Sequence, residues 1–141
     1  MRELNLFIKR LIDLFGSLIG SIIISPILII IALLIKLTSK GPVFFKQERL
    51  GKDGKTFKIL KFRTMVVNAE KIGDGLFVKT ELDNRITKIG KLLRATSLDE
   101  LPQLWNVIVG DMSLVGPRPP VPHHPHKYEE YTDFQRKRFE M

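Results

Sequence analysis

The sequence predicts an α+β chain, mainly helical, with a long apolar helix at its N-terminal end and a small domain behind it. Three observations predict this. No charged residue stands between Leu14 and Ile35, roughly 22 residues, enough to cross a bilayer core as a helix. Val43-Phe44-Phe45 and Thr56 to Phe62 read as short strands, with the turn signal Gly51-Lys52-Asp53-Gly54 between them. Ile86, Ile89, Leu92 and Leu93, and later Leu98, Leu101, Leu104, Trp105 and Ile108, recur at helical spacing.

A chain of 141 residues supports one small domain with little core to spare. It contains no cysteine, which excludes disulfides and thiolate metal sites and suits a reducing compartment. The formal net charge of +8 fits a solvated basic surface, or affinity for anionic lipid, nucleic acid or a phosphorylated substrate. Nucleic acid is the weakest of these. Few aromatics are interleaved with the basic residues, and there is no zinc or RNA-binding signature.

The apolar span is too long for a signal-peptide core. A domain this small could hardly bury a helix apolar on every face. Residues 1–40 therefore read as a membrane-embedded segment, ended by Gly41-Pro42. Ser25-Pro26 stands in its middle. Proline removes the hydrogen bond to the Ile22 carbonyl and kinks the helix, and the Ser25 hydroxyl is close enough in sequence to serve that carbonyl. Arg2, Lys9 and Arg10 precede the span and Lys36, Lys40 and Lys46 follow it. Basic flanks favour the cytoplasm. A re-entrant hairpin satisfies both flanks and a kinked crossing satisfies one, and on these grounds both readings stand. Asp13 at the mouth of the span is costly unless paired. Lys9 or Arg10, one turn back, can pair with it, and Arg10 is assigned as the partner.

After the hairpin, Val66 to Lys71 reads as a short helix, and Gly73-Asp74-Gly75 opens a loop running to Asp83-Asn84. The next helix sets its apolar stripe opposite Lys88, Lys91 and Arg94, as a helix lying in a headgroup layer or an ordinary surface helix would. Ser97 precedes Asp99 and Glu100 as in a capping box. Two readings of this pair stand on spacing alone. The carboxylates cap the helix and complement its dipole, or they stay ionised for metal ligation or nucleophilic attack. Pro102 costs the helix its bond to the Leu98 carbonyl, so the first turn is expected to be irregular.

Gly110 to Pro120 is a loop punctuated by glycine and proline. Pro119 biases Arg118 toward an extended backbone, which suits bidentate phosphate recognition. Lys61 and Arg63, flanking Phe62, are either solvent-facing strand residues or a phosphate clamp. The spacing of His123, His124 and His126 matches no zinc motif, and they read as a polar loop. Tyr128 to Met141 reads as a terminal helix with Arg136, Lys137 and Arg138 near its end.

Three stretches together closely resemble the bacterial sugar transferases, the monotopic phosphoglycosyl transferases that begin glycan assembly on polyprenol phosphate. They are Lys61-Phe62-Arg63-Thr64-Met65, Ser97-Leu98-Asp99-Glu100-Leu101-Pro102-Gln103-Leu104 and Gly110-Asp111-Met112-Ser113-Leu114-Val115-Gly116-Pro117-Arg118-Pro119. The resemblance covers nearly the whole chain, including Lys9-Arg10 and Asp13. It implies transfer of a sugar 1-phosphate from a UDP-sugar to polyprenol (undecaprenyl) phosphate, with release of UMP. The family's Asp-Glu pair falls on Asp99 and Glu100. Asp99 is then the nucleophile that forms a covalent phosphosugar intermediate, and a ligand of magnesium. Arg118 would hold phosphate, with Lys61, Arg63 and Arg94 as further candidates.

The resemblance also implies a re-entrant helix broken at Ser25-Pro26. Residues 41–141 then form the catalytic domain on the cytoplasmic face of the bacterial inner membrane. The expected partners are the UDP-sugar donor, the polyprenol phosphate acceptor and membrane lipid, without nucleic acid, and a homodimer stays open. Family chains usually continue past the position of Met141 with an Arg-Pro-Gly-type segment, so the catalytic domain reads as C-terminally incomplete. The alternative from a different class is a non-catalytic membrane-anchored remnant that binds lipid or a partner transferase.

Overall fold

A computed structural model describes residues 2–72, 83–122 and 127–139. The loop opened by Gly73-Asp74-Gly75 and the three histidines lie outside the described residues. The chain is mainly helical. In order it forms α1 (Arg2–Thr38), β1 (Phe44–Leu50), β2 (Thr56–Phe62), α2 (Lys88–Ala95), α3 (Leu104–Val109) and α4 (Asp133–Arg136), joined by short 3-10 turns. β1 and β2 pair as a two-stranded antiparallel sheet. The expected strand Val43-Phe44-Phe45 instead starts at Phe44 and extends through Leu50, up to a turn that reverses the chain at Asp53 and Gly54. Both adopt left-handed backbone there, with φ of 54° and 74°, and Gly51 N–H closes the turn on the Lys55 carbonyl at 2.7 Å.

α1 is helical on both sides of Pro26. By length and composition it is long and apolar enough to cross a membrane. Most of its large apolar side chains, such as Ile22, Ile23, Ile29, Ile30 and Leu33, are exposed. Its buried positions are Asp13, Ser17, Ile31 and Ile35.

By contacts rather than by sequence order, the chain divides into two compact units. The first comprises residues 1–23, 46–60 and 103–141, the second residues 24–45 and 61–102.

In the first unit, Leu50, Tyr131 and Phe139 form a small core flanked by Tyr128. Tyr128 and Tyr131 each meet Phe139 edge to face. Arg10 donates to the carbonyls of Val107 (2.7 Å) and Ile108 (2.8 Å). These carbonyls end α3, where the dipole favours a cation, and that of Val107 also accepts Gly110 N–H at 3.2 Å. Gly110 ends that helix with φ 100°. This corrects the expected ion pair. Asp13 pairs with Lys9 at 3.2 Å, one full turn away, while Arg10 is spent on α3. The single terminal helix expected from Tyr128 onward is also broken. Tyr131 is extended, and Thr132 starts α4 with its own capping box to Gln135. A threonine hydroxyl serves a cap better than a helix interior.

The second unit is built on Ile31, Ile35, Phe62 and Leu93, with Leu28, Val43, Ile89 and Leu98 packed against them. Phe44 stacks on Phe62 at 5.4 Å. α2 begins at Thr87, whose hydroxyl accepts Gly90 N–H at 2.9 Å. Gly90 lets this helix lie against the Thr64 backbone: a Cβ there would sit 2.0 Å from the Thr64 carbonyl oxygen. That carbonyl accepts Thr87 N–H at 3.0 Å. Of the helix expected at Val66 to Lys71, only a 3-10 turn at Ala69–Lys71 forms, following Asn68 in the left-handed region.

Candidate active site

The segment Leu98–Gln103 is a 3-10 helix with Pro102 inside it, leading directly into α3. The expected irregular turn is therefore present, and it has a physical cause. A 3-10 turn bonds i to i+3, so the donor missing at Pro102 leaves the i−4 partner less exposed to loss. The expected capping box is not formed. Ser97 sits at φ 57°, and its N–H donates to the Arg94 carbonyl at 3.2 Å, so it is not offered to the Glu100 side chain. Glu100 instead pairs with Lys61 Nζ at 2.6 Å. The apolar stripe along Leu98 to Ile108 is only partly buried. Asn106 and Val107 are buried, whereas Trp105, expected inside, is 59 % exposed.

Four charged groups of the second unit meet here. Asp99 and Glu100 lie side by side on the 3-10 turn, both partly buried. Burial pushes the Asp99 carboxyl above the usual carboxylate range. Lys61 opposes that rise, the neighbouring Glu100 adds to it, and Arg94 opposes it more weakly. A carboxylate made more basic in this way, with cations close by, is suited to attack an electrophilic phosphorus.

The candidate phosphate groups separate clearly. Arg94 donates through Nε to Thr64 Oγ1 at 2.9 Å. Among the described residues no partner is assigned to its two terminal nitrogens, which leaves them for an anion. Arg63 is different. It is 6 % exposed, and its guanidinium donates to the Lys40 carbonyl (2.9 Å), the Ser39 carbonyl (3.0 Å) and Ser39 Oγ (2.6 Å). It ties down the backbone that follows the C-terminus of α1, which is a structural role. Lys61 is committed to Glu100. Arg118 is exposed and belongs to the first unit.

Asn106 was not singled out from the sequence. It is buried, accepts Leu60 N–H at 2.9 Å and donates to the Lys58 carbonyl at 2.8 Å. It thereby gives β2 the hydrogen bonds of a missing neighbour strand. The signal was available: an asparagine inside the apolar run Leu104-Trp105-Asn106-Val107-Ile108 needs internal partners.

The family model described as bacterial sugar transferase matches residues 4–141. The chain belongs to the bacterial sugar transferase family. Among its relatives, a UDP-glucose:undecaprenyl-phosphate glucose-1-phosphate transferase of Klebsiella pneumoniae is 51 % identical over 91 % of this chain and 27 % of its own length. The galactosyl transferase CpsE of Streptococcus agalactiae is 44 % identical over 95 % of this chain and 31 % of its own. A UDP-N-acetylgalactosamine-undecaprenyl-phosphate N-acetylgalactosaminephosphotransferase of Aeromonas hydrophila is 47 % identical over 80 % of this chain and 26 % of its own. This sugar transferase family chain thus spans about a quarter to a third of the length of these relatives.

Proposed function

We propose that this chain is a phosphoglycosyl transferase unit that moves a sugar 1-phosphate from a UDP-sugar to undecaprenyl phosphate and releases UMP, at an early step of polysaccharide assembly. Relatives named for glucose and for N-acetylgalactosamine share undecaprenyl phosphate as acceptor, which supports the acceptor and leaves the sugar to vary. The observation that carries the reading is the partly buried Asp99, raised in pKa, set among Glu100, Lys61 and Arg94.

In the first step an Asp99 carboxylate oxygen attacks the phosphorus that bears the sugar. The bond from that phosphorus to the bridging oxygen of UMP breaks, and UMP leaves with the electron pair. In the second step a phosphate oxygen of the polyprenol phosphate attacks the same phosphorus and the Asp99–phosphorus bond breaks, restoring the carboxylate. One hard displacement becomes two easier ones. Such transfers depend mostly on positioning and charge neutralisation. Arg94 would meet the equatorial oxygens. Lys61 would hold Glu100 in place and keep Asp99 from being protonated. Arg118 would hold phosphate.

The donor set fits magnesium. Among the described residues Asp99 and Glu100 form no cluster with a third such ligand, and magnesium characteristically takes one or two carboxylates with substrate phosphates and water. Asp99, with Glu100, would hold it, and the ion would neutralise charge on the donor phosphates when bound.

We further read α1 as a re-entrant hairpin turning at Ser25-Pro26, with both ends on the cytoplasmic face of the bacterial inner membrane. The basic residues on both flanks of the span support it. The acceptor phosphate lies at headgroup depth, and such an anchor keeps the site there. The test is UMP release from a panel of UDP-sugars with undecaprenyl phosphate and magnesium. Release that depends on Asp99, Arg94 and acceptor is expected. Release equal in Asp99→Ala would refute the assignment.

A further inference from the structure

Within the first unit, α1 carries a polar notch. Asp13 is 6 % exposed, and a buried carboxylate needs partners. Its partners join it to a loop about a hundred residues away. Oδ1 accepts Leu114 N–H at 3.0 Å. Oδ2 pairs with Lys9 Nζ at 3.2 Å. That ammonium also donates to Ser113 Oγ and to the Val115 carbonyl at 3.2 Å. Gly16, on the same helix face, makes room for the loop: a Cβ there would lie 2.9 Å from Leu114 Cδ1. Positions 9, 13 and 16 thus grip three successive residues, Ser113 to Val115.

Downstream, the segment is fixed again. Arg49 Nη1 donates to the Pro119 carbonyl at 3.2 Å, and Leu50 N–H to the Pro120 carbonyl at 2.9 Å. Between the two anchors run only Gly116, Pro117 and Arg118. Arg118 lies between two prolines, which restrict the backbone on both sides.

We propose that Lys9 and Asp13 are positioning residues that strap the Ser113–Val115 loop to α1 and so fix the Arg118 guanidinium for a phosphate. The inference rests on reading Arg118 as a phosphate group of the transferase. A guanidinium misplaced by an ångström forfeits much of its bidentate binding. Neutralising a buried charge would alone explain the Lys9–Asp13 pair. It does not explain why Leu114 N–H, Ser113 and Val115 are all bound to it.

The test uses the full chain in lipid nanodiscs, in two arms. The chain has no cysteine of its own, so Gly16→Cys with Leu114→Cys makes a unique pair whose disulfide formation under mild oxidant is read by intact mass. Crosslinking should slow about tenfold when Asp13→Ala or Lys9→Met is added, the size of one lost pairwise coupling. An unchanged rate in both would overturn the strap whatever the chemistry. The second arm measures KM for UDP-glucose, UDP-galactose and UDP-N-acetylgalactosamine by UMP release. Asp13→Ala should raise KM about tenfold with Arg118 present and less than about twofold in the Arg118→Ala background. Multiplicative losses would mean Asp13 does not act through Arg118, and would overturn the positioning role. A wild-type chain that turns over none of the three donors would overturn the phosphate reading of Arg118, while the crosslinking arm still decides the strap. Lys9→Met keeps both arms decisive if Asp13→Ala does not fold.

Discussion

Gly90→Ala sets two effects of opposite sign against each other. Alanine is the better helix former, and on propensity alone the change should stabilise α2 by up to about 1 kcal/mol. The structure argues the reverse. The new Cβ would lie 2.0 Å from the Thr64 carbonyl oxygen and 2.7 Å from its carbon, and backbone cannot swing aside as a side chain can. Relief requires α2 to move away. That strains or breaks the Thr87 N–H bond to the Thr64 carbonyl (3.0 Å) and the Arg94 bond to Thr64 Oγ1 (2.9 Å). Overpacking costs about 1–3 kcal/mol, and each weakened bond about 1 kcal/mol. Set against the propensity gain, the net is a loss of about 2–4 kcal/mol. For a chain of this size that corresponds to a melting temperature lower by roughly 10 °C. Thermal denaturation in detergent or nanodiscs reads it directly. UMP release should fall as well, since Arg94 moves with α2. A melting temperature that rises would refute the close-approach argument and show that propensity decides.

Three further outcomes follow from the same structure. The raised Asp99 pKa predicts that activity falls on the acid side at a pH above the usual carboxylate range; Lys61→Met should move that limb higher and Glu100→Gln lower, measured as kcat/KM against pH. By linkage, a carboxyl raised by folding contributes stability below its unfolded pKa that is lost as pH rises through the folded one, so Asp99→Asn should abolish turnover yet raise neutral-pH stability by about 0.5–1 kcal/mol. Arg63→Ala leaves three part-buried acceptors at the end of α1 without their donor and should cost about 1–3 kcal/mol in denaturant titration, with KM for the donor unchanged in the folded fraction; a large KM effect would support a phosphate role instead. Single cysteines at Glu3 and Lys52 should label from the same side of sealed vesicles, and opposite-side labelling would replace the hairpin with a crossing helix.

Elements with strong local signals were legible in the sequence. β2 coincides with its expected run, α2 forms where the apolar spacing predicts a helix, with Leu93 buried but Leu92 exposed and Ile86 ahead of the helix, and Pro102 foretold an irregular turn around the carboxylate pair. The misses arise where a distant partner decides. Nothing local says that Arg10 would cap α3 while Lys9 takes Asp13, because both lie one turn from that carboxylate. Arg63 reads like any strand-end arginine until Ser39 and Lys40 are seen to face it. Trp105 shares the helical spacing of Leu104 and Ile108, yet it is exposed, since spacing alone does not say how much of a stripe its neighbours cover. Asn106 could have been found, since a lone amide in an apolar run has to be satisfied from elsewhere.

The central claim is that Asp99 attacks phosphorus. Its most direct test is the intact mass of the chain after incubation with a panel of UDP-sugars and magnesium, without acceptor. The account predicts a gain of one sugar phosphate on the wild-type chain, UMP released in equal amount, and neither in Asp99→Asn. UMP release without any adduct, persisting in Asp99→Asn, would contradict it.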